Sequence, residues 1–135
     1  MDTTVPKERQ AEKTILIVED DESIGDFLSL AIAQETPYQV VLVNDGPHAL
    51  QAAQSFHPAL LITDYWLPGL NGLELFERMR SCQELEELSA LLISANLPKR
   101  ELKQQGVIGI EKPFDLDMLL QTIARLLSSP QSERK

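Results

Sequence analysis

Five short, almost unbroken runs of β-branched and aliphatic residues, separated by helix-length stretches, constrain this chain more than any other feature. They are Thr14–Val18 (TILIV), Tyr38–Val43 (YQVVLV), Ala59–Thr63 (ALLIT), Ala90–Ser94 (ALLIS) and Val107–Ile110. A strand with one wet face alternates apolar and polar; a strand apolar at nearly every position is covered on both faces. Helical signals fill the gaps. Ile24, Phe27, Leu28, Ala31 and Ile32 recur at helical spacing. Asp45 can cap a helix with Pro47 in its first turn, ending near Phe56. Asn71 can cap a helix carrying Leu73, Leu75, Phe76 and Met79. Pro98 to Gln105 forms a short helix closed by Gly106, and Asp115 precedes a last helix carrying Leu116, Leu119, Leu120, Ile123 and Leu127. Strands alternating with helices in this way predict a doubly wound α/β fold: a five-stranded parallel sheet with five helices, the fourth short.

At 135 residues and 43% apolar, the chain has material for one core. The expected organisation is a flexible leader over 1–13, a folded domain over 14–127, and a flexible tail or linker start over 128–135. The net charge is −9, and residues 14–127 alone hold 17 acids against 7 bases. Such a body repels phosphate backbones, so direct binding of nucleic acid is not expected. A lone cysteine, Cys82, excludes an internal disulfide and a cysteine metal cage. No apolar run approaches the roughly 18 residues of a membrane span, and the first residues are too polar for a signal peptide. The expectation is a cytoplasmic protein.

In sheets of this kind the ligand site lies beyond the carboxyl ends of the strands. The first strand runs into Glu19-Asp20-Asp21-Glu22, the third into Asp64, the fourth ends at Ser94, and the fifth leads to Lys112-Pro113-Phe114. Singly, each has an ordinary explanation: Asp21 and Glu22 favour a helix start, Asp64 a turn, Lys112 and Ser94 the surface. Jointly they gather carboxylates, a hydroxyl and an ammonium at one end of one sheet. Two carboxylates ~4 Å apart repel by about 4 kcal/mol at an effective dielectric near 20, so the cluster calls for cations. Lys112 supplies one charge, and a hard divalent ion such as Mg²⁺ would balance Glu19, Asp20 and Asp64.

The stretches ILIVEDD (15–21), LITDYWLPGLNG (61–72), LISA (92–95) and Lys112-Pro113-Phe114 resemble the receiver domains of two-component response regulators. The resemblance spans residues 14–127. It implies a flavodoxin-like sheet of strand order 2-1-3-4-5, and Asp64 as acceptor of a phosphoryl group from a histidine kinase or histidine phosphotransfer protein. It further implies Mg²⁺ on Asp20, Asp64 and the backbone carbonyl of Trp66, with Glu19 acting through water. Ser94 and Lys112 would hold the phosphoryl oxygens, and the Lys112–Pro113 bond would be cis. The domain would then be a signalling switch rather than an enzyme on an external substrate, catalysing only transfer to Asp64 and its reversal by water. It would act on an unidentified downstream protein, as a monomer or weak dimer.

One position departs from the family pattern. Receiver domains usually carry an aromatic or histidine three residues before that lysine, and this chain has Gly109, with no Tyr or Phe anywhere between Ser94 and Lys112. The expectation is a switch whose output uses another surface, or a reshaped fourth helix and the loop before it. Trp66, the only tryptophan, can shield the site or meet a partner, and Asn96 flanks the same opening. Competing readings are weaker. Aspartate-nucleophile phosphatases carry a second acid where Trp66 stands, and an FMN phosphate would be repelled by Glu19-Asp20-Asp21. A phosphorylation-independent interaction module remains the alternative. His48 and His57 lack metal-ligand spacing, Glu84–Glu87 reads as a solvated turn, and Arg78 and Arg80 are placed to pair with Glu74 and Glu77.

Overall fold

The computed structural model describes residues 13–128. The five strands are β1 (Thr14–Val18), β2 (Gln39–Val43), β3 (Leu60–Asp64), β4 (Ser89–Ser94) and β5 (Ile108–Glu111). The five helices are α1 (Glu22–Glu35), α2 (Gly46–Phe56), α3 (Gly72–Arg80), α4 (Lys99–Gln105) and α5 (Leu116–Ser128), with a 3₁₀ turn at Gln83–Leu85. All strand pairs are parallel, in the order β2-β1-β3-β4-β5. Both the doubly wound class and the expected strand order are therefore realised, and strand limits differ from the sequence reading by a residue or so. The leader over 1–13 and the tail over 128–135 lie outside the described residues except for Lys13 and Ser128. Lys13 donates through Nζ to the Leu127 carbonyl at 2.7 Å, tying the two ends of the domain together.

Strand pleating divides the core in two. Leu16, Val18, Leu61, Ala90 and Leu92 face one side and pack with Ala49, Ala53, Phe76, Met79 and Leu102 of α2, α3 and α4. Ile15, Ile17, Ile62, Leu91, Ile93 and Ile110 face the other and pack with Leu28, Ile32, Leu119, Ile123 and Leu127 of α1 and α5. This explains why the central strands read as unbroken apolar runs: every side chain meets a helix layer on one face or the other.

The helix ends follow the capping residues. Asp21 accepts from the Ile24 amide at 3.1 Å and caps α1, which accounts for that acid structurally. Asp45 accepts from the His48 amide at 2.8 Å and caps α2. Asn71 and Glu74 form a reciprocal capping box on α3. Gly106, at φ +70°, closes α4 in the left-handed conformation that favours glycine. The expected pairs of Arg78 and Arg80 with Glu74 and Glu77 do not form among the described residues. Glu74 is committed to the Asn71 amide, and Arg80 lies 5.4 Å from the Phe76 ring centroid. In the turn at 84–87, Glu84, Glu86 and Glu87 are exposed while Leu85 is buried.

Candidate functional site

In the strand order, β1 lies between β2 and β3, so the connections leaving β1 and β3 diverge at their carboxyl ends. The register aligns those ends: Val18 pairs with Thr63, Asp64 with Ile93, and Ser94 with Glu111. Backbone bonds carry the alignment one residue further, from the Glu19 amide to Val43 O (3.1 Å), Tyr65 to Ile93 O (3.2 Å) and Lys112 to Ser94 O (2.9 Å). Glu19, Asp64, Ser94 and Lys112 therefore leave the sheet at one level, as the sequence pattern anticipated.

Lys112 Nζ stands 3.5 Å from Asp64 Oδ2, with the two side chains 30% and 15% exposed. A pair this sheltered is less screened than a surface pair. Glu19 is buried at 6% exposure and its Oε2 accepts from the Asp21 amide at 3.0 Å. Its carboxyl is raised above the ordinary range, chiefly by burial. The Asp21 amide and the Lys112 charge pull it down; the negative charges of Asp64 and Asp20 push it further up. Asp20 is exposed beside it and lines, with Glu19, Glu22 and Asp26, an acidic recess between α1 and the loop after β2. Ser94 is buried at 2% exposure, and its Oγ accepts from the Asn96 amide at 3.4 Å. The Lys112–Pro113 peptide is cis.

No three acidic, histidine or cysteine side chains among the described residues close into a ready-made metal cage. The strand ends instead present an open edge of carboxylate oxygens, the donor chemistry of a hard divalent cation that retains much of its water. A carboxylate with a fixed ammonium and a neighbouring hydroxyl can act as a nucleophile toward a phosphoryl group, because the transferred charge has donors waiting for it.

Three supporting residues were not assigned a role from the sequence. Thr63 Oγ1 donates to the Asp64 carbonyl at 3.0 Å. The Gly72 amide donates to the Tyr65 carbonyl at 2.7 Å, and a Cβ at Gly72 would lie only 2.7 Å from the Asp64 carbonyl oxygen. Tyr65 meets the Trp66 ring edge-on, with centroids 4.7 Å apart. Trp66 itself is 58% exposed; its amide donates to Asp64 Oδ1 at 3.1 Å and its indole to the Asn96 carbonyl at 3.0 Å. At Gly109, the space of an added Cβ is taken by Leu102 Cδ1 (2.7 Å) and Leu97 Cδ1 (2.8 Å). The two histidines sit at the surface, His48 on Asp45 and His57 on Glu84, each at 2.7 Å.

The family model for the response regulator receiver domain matches residues 15–124. The response regulator ArlR of Staphylococcus aureus is 35% identical over 121 residues, covering 88% of this chain and 55% of the relative. The hybrid signal transduction histidine kinase D of Dictyostelium discoideum is 26% identical over 124 residues, covering 89% of this chain and 8% of the relative. This chain thus spans about half of one relative's length and a small fraction of the other's. Among solved structures, the chemotaxis protein CheY4 of Vibrio cholerae superposes with a TM-score of 0.77 at 29% identity, over 85% of this chain and 98% of that one. With its sheet order, its strand-end residues and these matches in agreement, the chain belongs to the response regulator receiver domain family.

Proposed function

We propose that residues 14–127 are a phosphorylatable receiver in which Asp64 takes a phosphoryl group from a histidine kinase or histidine phosphotransfer protein. The contact that carries this reading is Lys112 Nζ at 3.5 Å from Asp64 Oδ2, with Ser94 on the adjacent strand end. An Asp64 carboxylate oxygen attacks phosphorus, the phosphorus–nitrogen bond to the donor histidine breaks, and the imidazole leaves with the electron pair. Lys112 and the Ser94 hydroxyl receive the phosphoryl oxygens. Later attack by water on phosphorus releases inorganic phosphate and restores the carboxylate. The names of the relatives, a response regulator and a hybrid histidine kinase, support such a donor.

The residues present fit Mg²⁺. Glu19, Asp20 and Asp64 carry formal charges that sum to −3 against one lysine. Asp20, Asp64 and the Trp66 carbonyl would hold the ion, with Glu19 acting through water. Bound there, Mg²⁺ would supply positive charge to the equatorial oxygens of the transferring group. Phosphorylation then replaces a charge of −1 by about −2 at the mouth of the sheet, and the response is a changed contact with a downstream protein. Among the described residues no helix is long and apolar enough to cross a membrane, which is compatible with the proposed cytoplasmic setting.

The test is intact-mass and peptide mass spectrometry after incubation with Mg²⁺ and acetyl phosphate. One phosphoryl group on wild-type protein, mapping to Asp64 and absent from Asp64→Asn, is the expected result. An unmodified Asp64 under those conditions and with a histidine kinase present would overturn the reading.

A further inference from the structure

Trp66 is fastened to the site at both ends. Its backbone N–H donates to Asp64 Oδ1 at 3.1 Å, and its indole N–H donates to the Asn96 carbonyl at 3.0 Å. The ring is 58% exposed, so burial does not fix it there. The bond to Asn96 and the edge-on contact with Tyr65 do. Asn96 is gripped in turn from the other side, because its own N–H donates to Ser94 Oγ at 3.4 Å. One residue of the loop between β4 and α4 is thus held by two groups of the site, the Ser94 hydroxyl oxygen and the Trp66 indole.

Leu97 follows Asn96, and Leu97 and Leu102 are buried core residues whose tips fill the space over Gly109, where β5 offers backbone and no side chain. The Trp66–Asn96 bond is a polar tie that crosses from the β3 side of the opening to this loop.

From this geometry we infer that Trp66 is a positioning residue, a bolt that holds the β4–α4 loop in its resting place and must give way when Asp64 is phosphorylated. The inference rests on the reading of Asp64 as phosphoacceptor. Phosphoryl oxygens on Asp64 attract the Ser94 hydroxyl as a donor. Ser94 Oγ can donate its own hydrogen to them while it keeps the bond from the Asn96 amide, so its movement carries Asn96 along. The loop then follows Ser94 inward, and the indole, anchored by its own backbone on Asp64, loses the Asn96 carbonyl. A bond made in the resting state and lost in the phosphorylated state biases the equilibrium toward rest. The aromatic contribution to the switch thus comes from the residue two positions after the phosphoacceptor, not from β5.

The test uses beryllofluoride with Mg²⁺ as the phosphoryl mimic, on wild type, Trp66→Phe and Asp64→Asn, followed by ¹⁵N NMR titration. Phe keeps a ring against Tyr65 and removes only the indole donor. Trp66→Phe is expected to bind beryllofluoride about two- to tenfold more tightly, the worth of one hydrogen bond, with the ligand-free unfolding midpoint lowered by no more than that same bond. In wild type, the single indole N–H resonance and the Asn96 amide should shift together with one midpoint. Binding by Trp66→Phe within twofold of wild type, or weaker, overturns the bolt. So does a wild-type indole resonance that stays in place while Asp64 and Lys112 signals move, a measurement that needs no variant. No response in wild type, or an equal response in Asp64→Asn, overturns the phosphoacceptor reading first and the bolt with it.

Discussion

Glu19 is a buried carboxylate that shares its surroundings with Asp20 and Asp64, and its raised carboxyl has a direct consequence for stability. Between the ordinary glutamate value and the raised folded value, the native state holds more protons than the unfolded chain. Stability therefore falls as pH rises through that window, and the full penalty is present above it. Glu19→Gln keeps an acceptor for the Asp21 amide and removes one charge from the cluster. It should stabilise the metal-free protein on the order of 1 kcal/mol at pH 7, with the gain vanishing in urea titrations below the ordinary glutamate range. An equal gain at both pH values would refute this. Two glycines make the opposite comparison. At Gly72 an added Cβ meets the Asp64 carbonyl, which is backbone and fixed by the sheet; at Gly109 it meets the tips of two leucines. Gly72→Ala should cost about 1–3 kcal/mol and slow phosphorylation, whereas Gly109→Ala should cost less than about 1 kcal/mol, both read from urea midpoints. Asp64, Ser94 and Lys112 were legible because their chemistry is visible in the residue type and the strand-end position. Gly72 was not, since nothing in a glycine says what it approaches.

Among the elements, α3 and α4 differ in how their ends are held. Asn71 and Glu74 satisfy each other's backbone donors at the start of α3; the Asn71 cap was readable because it directly precedes the apolar pattern, whereas Glu74 was expected to pair with the arginines and instead closes the box. The seven residues of α4 follow Pro98, which offers no side-chain cap, and only Leu102 within the helix is buried. So short a helix has little stability of its own and depends on the leucine contact over Gly109. Hydrogen exchange at Lys99–Gln105 should accordingly be faster than at Gly72–Arg80, through local opening rather than global unfolding. Equal protection in the two helices would show that α4 is held by more than this contact. The sequence alone marked α4 as short and Gly109 as anomalous, but could not say that leucines take up the space of the missing side chain. That is a tertiary contact between an element and a strand, with no local signature. The 3₁₀ turn at Gln83–Leu85 escaped for the related reason that Leu85 is buried by packing, not by periodicity.

At the scale of the whole molecule, the acid excess separates into charge that is spread over the surface and charge that is concentrated at one end of the sheet. The alternation of strands and helices was sufficient for the fold class. Strand order followed only from resemblance, because burial makes any two interior strands look alike in sequence. Net charge alone therefore predicts little, whereas the strand-end position of three carboxylates predicts a specific response to divalent cation. A ligand that binds only the folded state stabilises it by RT ln(1 + [L]/Kd), about 1.4 kcal/mol at ten times Kd. For a domain of this size that corresponds to a rise of about 5 °C in Tm. The protein should show this rise with Mg²⁺ near pH 7, and Asp20→Asn should lose most of it. Acidification that protonates Glu19 should weaken it, because an uncharged Glu19 contributes less attraction to the ion. General screening of the acidic body would raise Tm with any salt, so the control is NaCl at matched ionic strength. If NaCl reproduces the Mg²⁺ effect in wild type and in Asp20→Asn alike, the stabilisation belongs to the spread charge; a rise confined to Mg²⁺ and to the intact carboxylates assigns it to the strand ends.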